Sequence, residues 1–237
     1  RRWQRWRNAC SKGACRRPIR RSSRSLNVRA SILGVAFLFA FLLTVASCDR
    51  AQEFRGTTLN PPRTAAAISL RDQNGARVSL SDFRGRVVLL TFLYTSCPDI
   101  CPVVAGHLKQ AYTLLEDDAQ EVSVVIVSVD PERDTPEAAS EYLKRLGMGD
   151  TLRYLIGTQE ELSPVWASYF VAQAVDRPDG APGVEDEPQG ALDSLAFYTV
   201  THSSPVYVID GEGMMRSLFT LPMTPQDIVH DVRLLLP

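Results

Sequence analysis

Cysteine and histidine are scarce in this sequence, and both are unevenly placed. Five of the 237 residues are cysteine and three are histidine. Two of the cysteines, Cys10 and Cys15, lie in a basic N-terminal segment. So few cysteines exclude the disulfide framework that holds small secreted domains together. A single cysteine pair in a domain of this size indicates redox chemistry or metal binding instead.

Acidic residues are absent from the first part of the chain and abundant afterwards. Residues 1–29 contain eleven Lys and Arg and no Asp or Glu, which leaves 15 basic and 27 acidic residues in the remainder, a net charge of −12. An acidic body excludes nucleic acid as a partner, because phosphate binding requires clustered cations. A basic leader ahead of an apolar stretch is typical of membrane-targeted chains.

A long run without charge covers Ala30–Ser47 and ends at Cys48. Its length is borderline for crossing a hydrocarbon core about 30 Å thick. Val45–Cys48 resembles a bacterial lipobox, in which the cysteine is lipidated, and Asp49 resembles the signal that retains lipoproteins in the inner membrane. The alternative is an uncleaved signal anchor. Both interpretations leave residues 1–29 in the cytoplasm and place the domain on the periplasmic or extracytoplasmic side.

These segments precede what we interpret as a single domain. We assign residues 1–29 to a cytoplasmic leader, 30–48 to the signal or anchor segment, 49–63 to a tether and 64–237 to the domain. Inside the domain, residues 176–193 are rich in proline, glycine and acidic residues and are predicted to form a loop.

Strand and helix patterns alternate through the domain. Val87–Tyr94 and Val122–Val129 are continuous apolar runs typical of strands buried on both faces. Asp134 is expected to cap a helix, with Glu137 reaching back. That helix is expected to end at about Leu146. Other helices are predicted to begin at Pro102, to cover Leu162–Phe170 and to begin at Thr224. A hairpin is predicted around Asn74-Gly75, and strands are predicted at Leu152–Ile156, Val206–Ile209 and Met214–Phe219. This order predicts an α/β sheet of thioredoxin-like type, with a cysteine pair directly after the first long strand.

That cysteine pair, Cys97 and Cys101, is the candidate chemical centre. Each residue directly precedes a proline, which disfavours helical geometry, and Pro102 suits the first position of a helix. We therefore expect Cys101 to be the N-cap of a helix and Cys97 to lie in the preceding loop. Both thiols then meet the positive end of the helix, which lowers their pKa values and favours the thiolate that binds metals and attacks disulfides.

His202 is the candidate third member of the site, because in a thioredoxin-like sheet the segment before Val206–Ile209 lies beside the end of the first long strand. His107 and His230 fall on predicted helices and are interpreted as surface or packing residues. Two thiolates and an imidazole are soft ligands that suit Cu(I), whereas structural zinc takes four protein ligands. The residues alone leave open the alternative of a simple stabilising disulfide.

Four strings resemble the SCO/SenC family of copper chaperones, over about residues 60–237. They are Asp82–Arg86 (DFRGR), Tyr94–Pro102 (YTSCPDICP), Ser128–Glu137 (SVDPERDTPE) and Thr201–Ser203 (THS). The resemblance implies a thioredoxin-like fold, copper, as Cu(I) or Cu(II), bound by Cys97, Cys101 and His202, and a role in assembling the copper A centre of cytochrome c oxidase. The partners it implies are subunit II of that oxidase, other copper chaperones or thioredoxin-like reductants, and the membrane.

Three functions compete for the cysteine pair. A metallochaperone binds copper without turnover. A thiol–disulfide oxidoreductase, with Cys97 and Cys101 redox-active, keeps the copper-site cysteines of the oxidase reduced and has no need of His202. A peroxiredoxin-like peroxidase needs an activating arginine, and residues 95–102 contain none. The acidic segment 176–193 departs from the family pattern and is a candidate for altered partner docking.

Overall fold

The computed structural model describes residues 53–149, 151–176 and 199–236. The basic leader, the apolar segment with Cys48 and the acidic segment beyond residue 176 lie outside these ranges, and so do the predictions made for them. Within the described ranges, no helix has both the length and the apolar character needed to cross a membrane.

A mixed eight-stranded sheet forms the centre of the domain. Its strands are β1 (Thr57–Thr64), β2 (Ser69–Asp72), β3 (Arg77–Ser79), β4 (Val87–Leu93), β5 (Val122–Ser128), β6 (Leu152–Ile156), β9 (Val206–Ile209) and β10 (Met214–Phe219). They are arranged in the order β1-β10-β9-β4-β5-β6-β2-β3. A separate two-stranded ribbon consists of β7 (Gln173–Asp176) and β8 (Thr199–His202).

Helices connect the strands and cover the sheet. They are α1 (Ile100–Leu114), α2 (Pro136–Leu146), α3 (Gln159–Ser168) and α4 (Pro225–Arg233), with 3-10 helices at Leu80–Phe83 and Glu116–Glu121. α1 packs against α4, and α2 packs against β6. α2 ends at Gly147, which adopts the left-handed conformation (φ 70°) that favours glycine at this position.

The central strands β4 and β5 place the middle of the sheet in the core of the domain. Every residue of β4 and β5 is buried, and the two strands run parallel with Val87 opposite Val122 and Leu93 opposite Ser128. Burial of each large apolar side chain contributes about 1.5–3 kcal/mol, so these strands form the core of the domain. β9 pairs antiparallel with β4, and β10 with β9. The order β10-β9-β4-β5, with α1 as the crossover and α4 after the hairpin, is the thioredoxin-like arrangement, which confirms the predicted fold.

The edge strand β1 corrects the predicted tether. Residues 49–63 were assigned to a tether, but the two ends of Thr57–Thr64 pair antiparallel with β10, with Thr57 opposite Leu218 and Thr64 opposite Met214 and a register shift between them. The side chains of β1 are nearly all exposed. It therefore has no apolar pattern, and its strand conformation is stabilised by backbone hydrogen bonds to its neighbour.

The β7–β8 ribbon was not predicted, and it carries His202. The strands pair antiparallel, with Gln173 opposite His202 and Asp176 opposite Thr199. His202 is thus the last residue of a strand, whereas the sequence had indicated only a connecting segment before Val206–Ile209. The ribbon holds the histidine beside the end of the main sheet, and the side chain of Gln173 donates to Val129 O at 3.2 Å.

Candidate functional site

The cysteine loop leaves the carboxyl end of β4. Cys97 lies in this loop, as predicted, and its backbone N–H donates to Tyr94 O at 3.4 Å. Helix α1 begins at Ile100 with Asp99 as its N-cap, so Cys101 lies within the first helical turn. The prediction that Cys101 is the N-cap is therefore wrong. A proline is tolerated anywhere in the first turn, since the backbone N–H groups there have no intrahelical acceptor, and Pro102 does not mark the helix start.

Cys101 and His202 are brought into contact by the fold. The Cys101 Sγ lies 3.6 Å from His202 Nε2, although the residues are 101 positions apart. Cys101 has no exposed surface, and His202 is half-buried. His202 Nδ1 lies 3.0 Å from Ser203 O, which can only accept, so Nδ1 carries the proton. Burial lowers the pKa of His202, and the neutral ring directs the lone pair of Nε2 toward Cys101.

Cys97 is the accessible thiol of the pair. It is half-buried, and burial alone would raise its pKa. Hydrogen bonds from the Cys101 side chain and from the backbone N–H groups of Asp99 and Cys101 outweigh that effect. The Tyr94 hydroxyl adds a further hydrogen bond, and the net result is a lowered pKa of Cys97. The predicted lowering of the thiol pKa therefore agrees with the structure for Cys97.

For Cys101 the same prediction is wrong. Burial raises the pKa of the Cys101 thiol well above its ordinary value, and the neighbouring Cys97 raises it further. The position at the start of α1 does not compensate, because complete burial removes the solvation that a thiolate requires. The two thiols therefore differ in character: Cys97 is accessible and readily ionised, whereas Cys101 is buried and protonated.

Tyr94 connects the cysteines with the histidine. Its ring packs edge-on against His202, with 5.6 Å between the ring centroids, and the guanidinium of Arg133 lies 5.4 Å from the Tyr94 centroid. Arg133 is held in turn by Asp130, at 2.5 Å between Nε and Oδ2. Burial, followed by the hydrogen bond to Cys97, raises the pKa of Tyr94 to about 12. Tyr94 is therefore a neutral hydroxyl that donates toward Cys97.

Asp134 anchors the cysteine loop, a role that the sequence did not reveal. The expected helix cap is instead Thr135, whose Oγ1 accepts from Ala138 N at 3.2 Å. Asp134 is 4% exposed, and its carboxylate accepts from Thr95 N (2.9 Å), Thr95 Oγ1 (2.7 Å), Ser128 Oγ (2.6 Å) and Tyr154 OH (2.8 Å). The one available signal was that Thr135-Pro136 already provides a complete helix start, which leaves Asp134 free for another task.

The predicted ligands meet at one end of the sheet without forming a finished metal site. Cys101 is in contact with His202, and Cys97 is hydrogen-bonded to Cys101. Nevertheless, within residues 53–149, 151–176 and 199–236 no group of three or more His, Cys, Asp or Glu side chains is arranged to hold a metal ion. His230 is placed away from the cysteines, with Nε2 3.1 Å from Glu53 O.

Comparison with known proteins supports the family resemblance and the fold. The SCO1/SenC family model matches residues 56–236. The SCO2-like protein of Rickettsia felis is 31% identical over 163 residues, which cover 69% of this chain and 72% of that protein. The copper-bound structure of Bradyrhizobium japonicum ScoI is 30% identical, with a TM-score of 0.59 over 73% of this chain and 99% of that one. The apo Sco1 protein of Thermus thermophilus is 31% identical, with a TM-score of 0.60 over 78% and 98%. The chain belongs to the SCO1/SenC family.

Proposed function

We propose that this protein is a membrane-tethered chaperone that binds one copper ion through Cys97, Cys101 and His202. The observation that carries the proposal is the 3.6 Å approach of His202 Nε2 to Cys101 Sγ, which joins two distant parts of the chain. Copper bound to the related ScoI of Bradyrhizobium japonicum supports the choice of metal.

The donor chemistry fits Cu(I) as cargo. Two thiols and an imidazole whose lone pair is free at Nε2 are soft ligands, and Cu(I) prefers such ligands to oxygen. Copper binding displaces the protons of the thiols, so the bound cation replaces the proton of the buried Cys101. Among the described residues the three side chains are not arranged in advance as a metal site.

Copper titration of the reduced full-length chain in detergent tests this proposal. With a chromophoric Cu(I) chelator as competitor, we expect one tightly bound ion per chain. Cys97→Ser, Cys101→Ser and His202→Ala should each weaken binding by more than about tenfold, equivalent to about 1.4 kcal/mol. His230→Ala is the matched control, since the side chain of this half-buried histidine has a single hydrogen-bond partner among the described residues, the backbone carbonyl of Glu53. Unchanged affinity in His202→Ala would refute the three-ligand site.

The membrane tether and the recipient of copper are further parts of the proposal. We place residues 30–48 in the inner membrane or its lipid surface, with Cys48 as the lipidated residue and the domain facing the periplasm or extracytoplasmic space. The family resemblance supports subunit II of cytochrome c oxidase, with its copper A centre, as the recipient. Mass spectrometry of the membrane-extracted protein tests the tether. A lipid adduct that is absent from Cys48→Ser is expected, and an unmodified, uncleaved chain would leave the signal anchor as the tether.

A second candidate function is thiol–disulfide exchange with the oxidase cysteines. It is favoured by the pairing of an accessible Cys97, whose pKa is lowered, with a buried Cys101 within hydrogen-bond reach. This function needs both cysteines but no imidazole. The rate at which His202→Ala reduces an oxidised copper A peptide therefore separates thiol–disulfide exchange from copper delivery. Full reducing activity without copper affinity would show electron transfer to be independent of the metal.

A further inference from the structure

A cleft of about 300 Å³ opens beside Cys97. The residues that line it are Thr95, Cys97, Pro102, Tyr142, Arg145 and Leu146. Cys97 lines the cleft, but Cys101 and His202 do not, so the cleft adjoins the accessible thiol and not the contact between the other two candidate ligands. Its volume suits a small molecule or one to two side chains, the lower end of the range for ligand pockets.

Tyr142 lines this cleft and carries a buried hydroxyl that is unpaired among the described residues. The side chain is 8% exposed, and its hydroxyl forms no hydrogen bond among the residues that the structure describes. Its ring packs against Tyr154, with 5.8 Å between the centroids, so the phenol is held in place. Buried hydroxyls are normally hydrogen-bonded, and an unpaired one beside a cleft indicates a ligand that accepts a hydrogen bond there.

Arg145 supplies a positive charge at the same cleft. It lies in the last turn of α2 and is exposed, so its guanidinium is available to an incoming molecule. The chain beyond residue 29 carries a net charge of −12, so a cationic side chain at the cleft is opposite in sign to the chain as a whole. A guanidinium binds carboxylates through paired hydrogen bonds, and the tyrosine hydroxyl can donate to the same group. Pro102 and Leu146 provide apolar walls for a short aliphatic linker.

We propose that this cleft binds a low-molecular-weight thiol or disulfide that carries a carboxylate and presents its sulfur to Cys97. Arg145 and Tyr142 hold the carboxylate, and the apolar walls hold the methylene groups. The inference goes beyond copper binding, because it requires no metal and uses residues outside the proposed ligand set, apart from Cys97.

The exchange reaction balances as two sulfur displacements. The Cys97 thiolate attacks one sulfur of the bound disulfide, the S–S bond of the ligand breaks, and one thiolate leaves and takes up a proton from water. The Cys101 sulfur then attacks the Cys97 sulfur, the mixed S–S bond breaks, and the second ligand thiolate leaves with the proton that Cys101 gives up. The cysteine pair is oxidised by two electrons and the disulfide is reduced to two thiols. In the reverse direction, two ligand thiols reduce the pair.

Three small disulfides of similar size test the proposal: dithiodipropionate, which is anionic, hydroxyethyl disulfide, which is neutral, and cystamine, which is cationic. The reduced, metal-free full-length chain is used, with Cys101→Ser to trap the mixed disulfide for mass spectrometry. The overall acidity of the surface favours the cation and disfavours the anion. We expect the reverse order, with dithiodipropionate reacting fastest.

Substitutions at the residues that line the cleft test whether the cleft causes the preference for dithiodipropionate. Arg145→Gln should slow dithiodipropionate by about tenfold, the effect of one charge-assisted hydrogen bond, and leave hydroxyethyl disulfide unchanged. Tyr142→Phe should slow the anion several-fold. Lys144→Gln is the matched control, since this exposed residue is adjacent in sequence and does not line the cleft.

Two results would overturn the proposal. One is a rate order of cystamine, then hydroxyethyl disulfide, then dithiodipropionate in every variant, which the overall charge of the surface explains without a binding cleft. The other is an equal effect of Arg145→Gln and Lys144→Gln, which indicates long-range electrostatics. The copper affinity of Arg145→Gln, measured separately, should equal that of the wild type, so the test is independent of the copper-binding proposal.

Discussion

Replacing Asp134 by alanine is expected to destabilise the domain and to loosen the cysteine loop. The buried carboxylate accepts four hydrogen bonds, from Thr95 (two), Ser128 and Tyr154. Two of the donors depend less on Asp134. Tyr154 OH also lies 3.2 Å from Leu93 O, and the Ser128 hydroxyl can rotate away from the lost acceptor. The backbone N–H and the hydroxyl of Thr95 lose their acceptor outright. Each unsatisfied buried donor costs about 1–3 kcal/mol, so we expect a loss of about 3–5 kcal/mol.

A matched control separates this effect from a general loss of stability. Asp72 is equally buried and accepts from Asn74 N and Ala76 N, both at 2.9 Å, in the β2–β3 turn. Urea unfolding followed by tryptophan fluorescence gives the free energy of unfolding of Asp134→Ala and Asp72→Ala. The alkylation rate of Cys97 in the absence of urea reports on the loop. We expect both variants to be less stable but only Asp134→Ala to change the alkylation rate.

Two outcomes would refute the reasoning on Asp134. A loss of less than about 1 kcal/mol would mean that the carboxylate is not the acceptor on which the donors depend. Equal alkylation rates in Asp134→Ala and Asp72→Ala would mean that Asp134 does not position the cysteine loop.

The pH dependence of the same residue provides an independent check. Burial raises the pKa of Asp134 above its ordinary value of 3.8, although four hydrogen bonds act against this shift. A raised pKa in the folded state means that the folded protein binds more protons than the unfolded chain above pH 3.8. Stability from this group is therefore complete below that pH and is lost as the pH rises through the folded-state pKa. Relative to Asp134→Asn, the wild type should be most stable at low pH, and a difference that does not vary with pH would contradict the shift.

Further predictions concern the thiols and one helix end. Cys97 should be alkylated faster than Cys101 in the variants that keep only one cysteine of the pair, because Cys101 is buried. As the pH rises, the alkylation rate of Cys97 should level off below the ordinary thiol pKa of 9.0, because the pKa of Cys97 is lowered. Equal rates for the two cysteines would contradict the assignment. Tyr94→Phe removes a hydrogen bond that lowers the pKa of Cys97, so the pH–rate profile should move to higher pH, and an unchanged profile would exclude this contact. Gly147→Ala places a side chain at φ 70° and should cost about 1 kcal/mol in thermal or urea unfolding, which a loss near zero would refute.

Much of the fold was predictable because its signals are local. The buried runs around β4 and β5 predicted both strands to within one residue, and the strands at Leu152–Ile156, Val206–Ile209 and Met214–Phe219 were predicted with their observed bounds. These segments follow simple apolar periodicities, since both faces of a central strand face the core. β1 and the β7–β8 ribbon escaped prediction because partner strands far along the chain stabilise them. β1 has nearly all its side chains exposed, and β7 and β8 have four residues each, which is too short for a clear pattern.

The sequence by itself determined the family motifs and the cysteine pair, because residue type and spacing record which chemistry is possible. The choice of His202 among three histidines also needed the predicted thioredoxin-like fold, which places the segment before Val206–Ile209 beside the first long strand. Only the tertiary structure decided how those residues differ. In the folded domain Cys101 is buried and Cys97 is accessible. Asp134, predicted to cap a helix, instead binds the cysteine loop through Thr95, and His202 Nε2 lies 3.6 Å from Cys101 Sγ. Burial and contact between distant segments set these properties, and neither quantity is encoded by neighbouring residues in the chain.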